Sequence, residues 1–244
     1  MTALGTGTTT RRDWQPVVTY SLIAVNVIVF AFSAKQTGSI ENNMASYEVA
    51  RFALSEPATA NGWWWTAVTS GFLHFGPIHL LVNMFSLYVF GRNVEQALGR
   101  ARFGAIYALS LLGGSAAVLW FGLERTITVG ASGAIFGLIG AALVLFLKFR
   151  LNPTSLLLII GVNVVASFTF SSISWLGHLG GFILGTLVAA GFVYVPELLP
   201  RDRRTRQQVE GLGWACAGVL AAVVVAAIAI RFGTYPGAQV YSVR

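Results

Sequence analysis

Seven mostly apolar stretches, roughly 17–33, 78–92, 103–122, 128–148, 154–170, 174–195 and 213–231, constrain this chain more than any other feature. A helix that crosses a bilayer needs about 20 predominantly apolar residues, and these runs approach that length, the second being the shortest. Of the 244 residues, 55% are hydrophobic and 10% charged, with a mean hydropathy of +0.70. A soluble fold of this size has no interior large enough to hide so much apolar side chain. The expectation is an all-α, polytopic transmembrane helical bundle. Its parts read as a cytoplasmic N-terminal tail (1–16), a six-helix core (17–196), a basic cytoplasmic linker (197–212), a seventh helix (213–231) and a C-terminal tail (232–244).

Between the first two runs lies a long connection, 34–77, whose last part lies in "NGWWWTAVTSGFLHFGPIH", residues 61–79, the stretch that leads into the second run. It is apolar but too broken by Gly and Pro to span alone, so it is expected to lie at the interface with Trp63, Trp64 and Trp65. Orientation follows from the basic residues. With the N-terminus inside, the inner segments hold eleven Lys and Arg, among them Arg92, Arg100, Arg102 and the run "PRDRRTRQQ". The outer segments hold five: Lys35, Arg51, Arg125, Arg231 and Arg244. The positive-inside rule therefore predicts N-in and C-out. The net charge of +7 is a matter of topology, and no nucleic-acid partner is expected. A single cysteine, Cys216, sits in an apolar run and excludes an intramolecular disulfide or a Cys-based metal site.

Helices two, four and six then run from outside to inside, and their polar residues can be compared by depth. His79 lies in the first turn of helix two with Asn83 one turn deeper, and Ser132 and His178 fall about one turn into helices four and six, a shared layer on the order of 6 Å below the outer ends. His74 lies just before helix two, so all three histidines of the chain belong to one shallow layer. Gly133 and Gly137 in helix four, and Gly177, Gly181 and Gly185 with Gly180 in helix six, form small-residue faces that let backbones approach closely. If those faces meet, Ser132 and His178 come within reach of each other. A serine hydroxyl becomes a nucleophile when a base takes its proton, and neutral histidine is the usual base. His79 and Asn83, one turn apart, suit two donors to a common oxyanion. Each residue also has a plain reading. A serine in a membrane helix commonly bonds its own backbone, glycine faces commonly serve packing, and an intramembrane histidine can line a pore or bind metal.

Taken together, the three separated motifs resemble the rhomboid family of intramembrane serine proteases over nearly the whole chain. "GASGAIFG" resembles the family's G-x-S-G nucleophile motif, "GHLGGFILG" its histidine helix, and "HFGPIHLLVN" its H-x4-H-x3-N pattern. The resemblance implies Ser132 as nucleophile and His178 as base. It implies His79, Asn83 and the Ser132 backbone N–H as oxyanion donors, and His74, Phe136, Gly130 and Gly133 as supporting residues. Phe136 would stack on the catalytic histidine, and Glu95 in "GRNVEQALG" would bond loop one or a neighbouring helix end. Trp65-Thr66 stands where the family often has Trp-Arg, and Gly177 where alanine is common. No Asp or Glu lies in the shallow layer, so a carboxylate third member is not expected.

The implied activity is endoproteolysis of membrane-protein substrates near the outer face. No cofactor and no metal are expected, and the implied setting is a bacterial plasma membrane. Phe168 and Phe170 are candidate gate residues. Two rival readings use the same residues: a metal-binding membrane protein using His74, His79 and His178, and a transporter or non-catalytic binder. Transporters commonly show internal repeats and midplane polar groups, which this sequence lacks.

Overall fold

A computed structural model describes residues 14–122, 127–169, 174–200 and 205–235. The expected termini beyond those bounds, with Arg11, Arg12 and Arg244, lie outside the described residues, as do Arg125, Phe170, Arg201, Arg203 and Arg204. Among the described residues, each of the seven apolar runs is helical over most of its length. They form α1 (Val17–Thr37), α2 (Gly76–Leu98), α3 (Arg100–Phe121), α4 (Ser132–Lys148), α5 (Thr154–Thr169), α6 (Trp175–Val193) and α7 (Arg206–Thr234). By length and composition, α1, α3, α7 and the helix through Trp175–Leu198 can cross a membrane. The pair Thr66–Phe72 and α2, bent by 94°, makes a fifth span if counted as one.

The two remaining helices fall short of the expectation of seven full spans. α4 has 17 residues and α5 has 16. For α4 the reason is burial. It lies at the centre of the bundle between α3 and α6, so it meets protein rather than lipid along nearly its whole length. A helix of that length rises about 25 Å, less than the hydrocarbon core it sits within.

α3, α4 and α6 form that centre, and glycine sets how closely they pack. A methyl group at Gly181 would overlap the Gly133 carbonyl, and one at Gly185 would overlap Gly137. A methyl at Gly114 of α3 would sit 2.7 Å from the Gly177 carbonyl oxygen, closer than real side chains approach. The two glycine faces read from the sequence therefore do meet, and α3 adds a third through Gly113 and Gly114. With no hydrophobic force between helices in lipid, such backbone contact is what holds them.

Polar anchors fix the periphery. Glu95, fully buried on α2, accepts hydrogen bonds from the backbone N–H groups of Val18 (3.0 Å) and Thr19 (2.8 Å) and from Thr19 Oγ1 (2.7 Å). It satisfies free donors at the start of α1, where a negative charge is also favoured by the helix dipole. α7 lies against α3 and α6; Arg231 Nε donates to the Leu119 carbonyl (2.7 Å) and Trp120 Nε1 to the Ala227 carbonyl (3.0 Å). A short antiparallel pair, β1 (Leu54–Ser55) with β2 (Ile127–Thr128), sews the first connection to the chain entering α4.

Glycine packing predicts a contrast. Gly181→Ala should lower stability by about 1–3 kcal/mol, the usual cost of overpacking, whereas Gly218→Ala, with nothing within 4 Å, should be neutral or slightly stabilising. Thermal unfolding of the purified protein in detergent would read both.

Candidate active site

α4 begins at Ser132, so the serine is the first residue of its helix and not one turn in. The chain before it is held out of helix by β2, by a bond from the Gly130 N–H to the Ser70 carbonyl (2.9 Å), and by Gly130 itself at φ +121°. Only glycine adopts that conformation without strain. One consequence is chemical. The first backbone N–H groups of a helix have no partner inside it, and they point outward with the positive end of the helix dipole. The Ser132 hydroxyl therefore stands beside free backbone donors.

His79 approaches from α2. Its Nδ1 accepts the Phe75 N–H (3.2 Å), and since a neutral imidazole carries one N–H, that proton sits on Nε2. A methyl at Gly130 would lie 2.9 Å from His79 Nε2 and 3.8 Å from Ser132 Oγ, so the absence of a side chain there lets the donor approach the serine. Behind it, His74 is buried and packs edge-on against His79 with ring centroids 5.1 Å apart. Asn43 builds the turn that carries both. Its Nδ2 donates to Ser33 Oγ (3.0 Å) and to the His74 carbonyl (2.8 Å), and its Oδ1 accepts from the Gly76 N–H (3.0 Å). Asn83 is buried one turn below His79, and its Nδ2 donates one hydrogen to the His79 carbonyl (2.9 Å), leaving the second free.

His178 sits one turn into α6, after Ser174 caps that helix by accepting the Gly177 N–H (3.2 Å). Its ring stacks on Phe136 with centroids 4.0 Å apart and planes 12° from parallel. Its Nδ1 lies 2.9 Å from Ser167 Oγ on α5. Ser132, His178, His79, Asn83 and Phe136 all line one cavity of about 430 Å³, a size suited to a small section of extended peptide. Among the described residues, Ser132 Oγ and the imidazole share this cavity without a direct hydrogen bond, while the ring stacks on Phe136 and meets Ser167 through Nδ1. Such pairs are commonly long before substrate seats and tighten in the complex.

Gly133 lies at the α4–α6 contact directly below the serine. Phe168 stands outside the cavity, 70% exposed and stacked on Trp175 at 5.5 Å. Among the described residues no group of three His, Cys, Asp or Glu is arranged to hold a metal ion. Sequence reasoning missed Asn43 and Ser167. The first has no signal in hydropathy. The second shares a four-residue spacing with Asn163, a polar pair in an apolar run that could have marked a buried helix face.

Residues 61–195 match the family model for the rhomboid domain. Rhomboid protease GluP of Bacillus subtilis is 34% identical over 184 residues, which cover 73% of this chain and 35% of GluP. YdcA of the same bacterium is 33% identical over 184 residues, covering 70% of this chain and 88% of YdcA. RHOMBOID-like protein 6, mitochondrial, of Arabidopsis thaliana is 39% identical over 143 residues, covering 54% of this chain and 44% of the relative. The chain thus spans less than half the length of GluP and of the Arabidopsis protein.

The approach of His79 to Ser132 depends on Gly130. Gly130→Ala should strain the backbone by about 1–3 kcal/mol and push the His79 ring away. The expected result is a lowered unfolding midpoint in detergent; an unchanged midpoint would contradict the geometry.

Proposed function

Because this chain belongs to the rhomboid family, we propose that it is an intramembrane serine endopeptidase that cleaves other membrane proteins through a Ser132–His178 dyad. The observation that carries this reading is the convergence in one cavity of a helix-initiating serine, a histidine with one ring nitrogen already engaged, and a second histidine whose free nitrogen bears a proton. In the proposed reaction Ser132 Oγ attacks the scissile carbonyl carbon while His178 Nε2 accepts the hydroxyl proton. The proton then passes to the leaving amine as the C–N bond breaks, and water repeats the sequence to release the acyl group.

The oxyanion formed in each half is met by the Ser132 backbone N–H, His79 Nε2–H and the second Asn83 Nδ2 hydrogen. These donors are placed before the charge develops, which is what makes them effective. His74 backs the His79 ring, and Phe136 sets the plane of His178. No metal or cofactor enters the scheme. The substrate is a membrane segment whose end can unwind, since a peptide bond inside a formed helix is shielded by its own hydrogen bonds. The proposed topology keeps N-in and C-out, with the site near the outer face and water entering from there.

Purified protein in detergent, offered a panel of transmembrane peptides, tests this directly. Ser132→Ala should lower cleavage by about 10,000-fold or more, and a fluorophosphonate should label wild type while sparing Ser132→Ala and His178→Ala. Undiminished cleavage by Ser132→Ala would overturn the assignment. Binding of the panel without cleavage by wild type would favour a non-catalytic rhomboid-like binder.

A further inference from the structure

α5 is thinly packed. Of its side chains, only Leu156 and Ser167 are buried, and much of the rest of the helix is exposed. Ser167 stands out among them: its side chain is 7% exposed, while Asn163 one turn earlier is half-buried at the edge of the cavity that Ser132 lines. Its Oγ lies 2.8 Å from the Asn163 carbonyl, to which it donates, and 2.9 Å from His178 Nδ1. A hydroxyl has one hydrogen and two lone pairs. With the hydrogen committed to the carbonyl one turn back, a common arrangement for serine within a helix, Ser167 can only accept at His178. In that arrangement Nδ1 carries the imidazole proton and Nε2 is left bare, whereas a proton on Nε2 would turn the same hydroxyl toward Nδ1.

The geometry points to Ser167 as a positioning residue that completes a relay from the Asn163 carbonyl through Ser167 Oγ and His178 Nδ1 to a basic Nε2. This rests on the reading of Ser132 and His178 as nucleophile and base, and it adds what that reading lacks. Phe136 can set the plane of the ring but, being a phenylalanine, cannot select which nitrogen is protonated. Which nitrogen carries the proton is decided by the hydrogen bond the other group makes. A free histidine side chain in solution favours the opposite tautomer, with the proton on the nitrogen that is here to be empty. When Nε2 takes the Ser132 proton, the ring becomes a cation with two N–H groups. The Nδ1–H bond to Ser167 then strengthens because its donor is charged. Ser167 thus contributes more in the transition state than before it, and its loss should fall on kcat and not on KM.

The experiment uses the full chain in detergent with 15N-labelled histidine, of which there are three, His178 being assigned by its loss in His178→Ala. Wild type should show His178 neutral with the proton on Nδ1. Ser167→Ala should move a large share of that signal to the Nε2–H tautomer and lower kcat about five- to tenfold, the worth of one hydrogen bond, with KM changed less than about twofold. Ser167→Thr, which keeps the hydroxyl, should restore both the tautomer and most of kcat. A wild-type His178 already protonated on Nε2, or a tautomer and kcat unmoved by Ser167→Ala, would overturn the proposal. The tautomer is read without any turnover, so a wild type that cuts while failing this test leaves the Ser132–His178 reading in place. Undiminished cleavage by Ser132→Ala removes that reading whatever the spectrum shows.

Discussion

Direct backbone contact between α4 and α6 is the constraint on which the rest of the molecule depends. Gly133 and Gly137 meet Gly177, Gly181 and Gly185 so closely that a single methyl at Gly181 has no room. In lipid this contact cannot be replaced by a hydrophobic one, because apolar side chains gain little from meeting each other there. The contact also sets the chemistry. Ser132 immediately precedes the first glycine of one face, and His178 immediately follows the first glycine of the other. Closing the two faces brings serine and imidazole to the walls of one cavity without a loop having to deliver either.

The other side of that cavity is delivered by connections instead, and polar bonds hold them. Asn43 fixes the turn into α2 through three hydrogen bonds, and the N–H of Gly130 is tied to Ser70. These bonds are buried, where an unmet polar group is costly, so each is both a stabiliser and a positional constraint. They place His79 against Gly130 with its Nε2 proton free. Glu95 does comparable work at the far end of α2 by holding the start of α1.

Much of this was legible in the sequence because lipid makes two signals unusually strong. Apolar runs marked every principal helix, and glycines at four-residue spacing marked the faces that meet. Polar residues at matched depth then singled out Ser132, His178, His79 and Asn83. What stayed hidden depends on partners distant in sequence. The run from 128 reads as helix throughout, yet Thr128 pairs with Leu54 and Gly130 with Ser70, so the helix starts only at Ser132. Hydropathy registers Asn43 as a loop residue and Ser167 as an interruption, since neither signals a bond to His74 or His178. The short α4 was likewise hidden, because the contacts of Thr128 and Gly130 set its start and burial between neighbours lets it fall short of the bilayer.

The proposed picture is of a glycine-packed centre that presents Ser132, faced by one helix proposed to supply the oxyanion donors and another proposed to hold the base. Its most direct test is the structure of the protein after reaction with a fluorophosphonate. The account predicts a phosphorus atom bonded to Ser132 Oγ. One phosphoryl oxygen should lie within hydrogen-bond distance of the Ser132 N–H, His79 Nε2 and Asn83 Nδ2, with His178 still stacked on Phe136 beside it. Phosphorus on any other residue, or an oxygen turned away from His79 and Asn83, would contradict it.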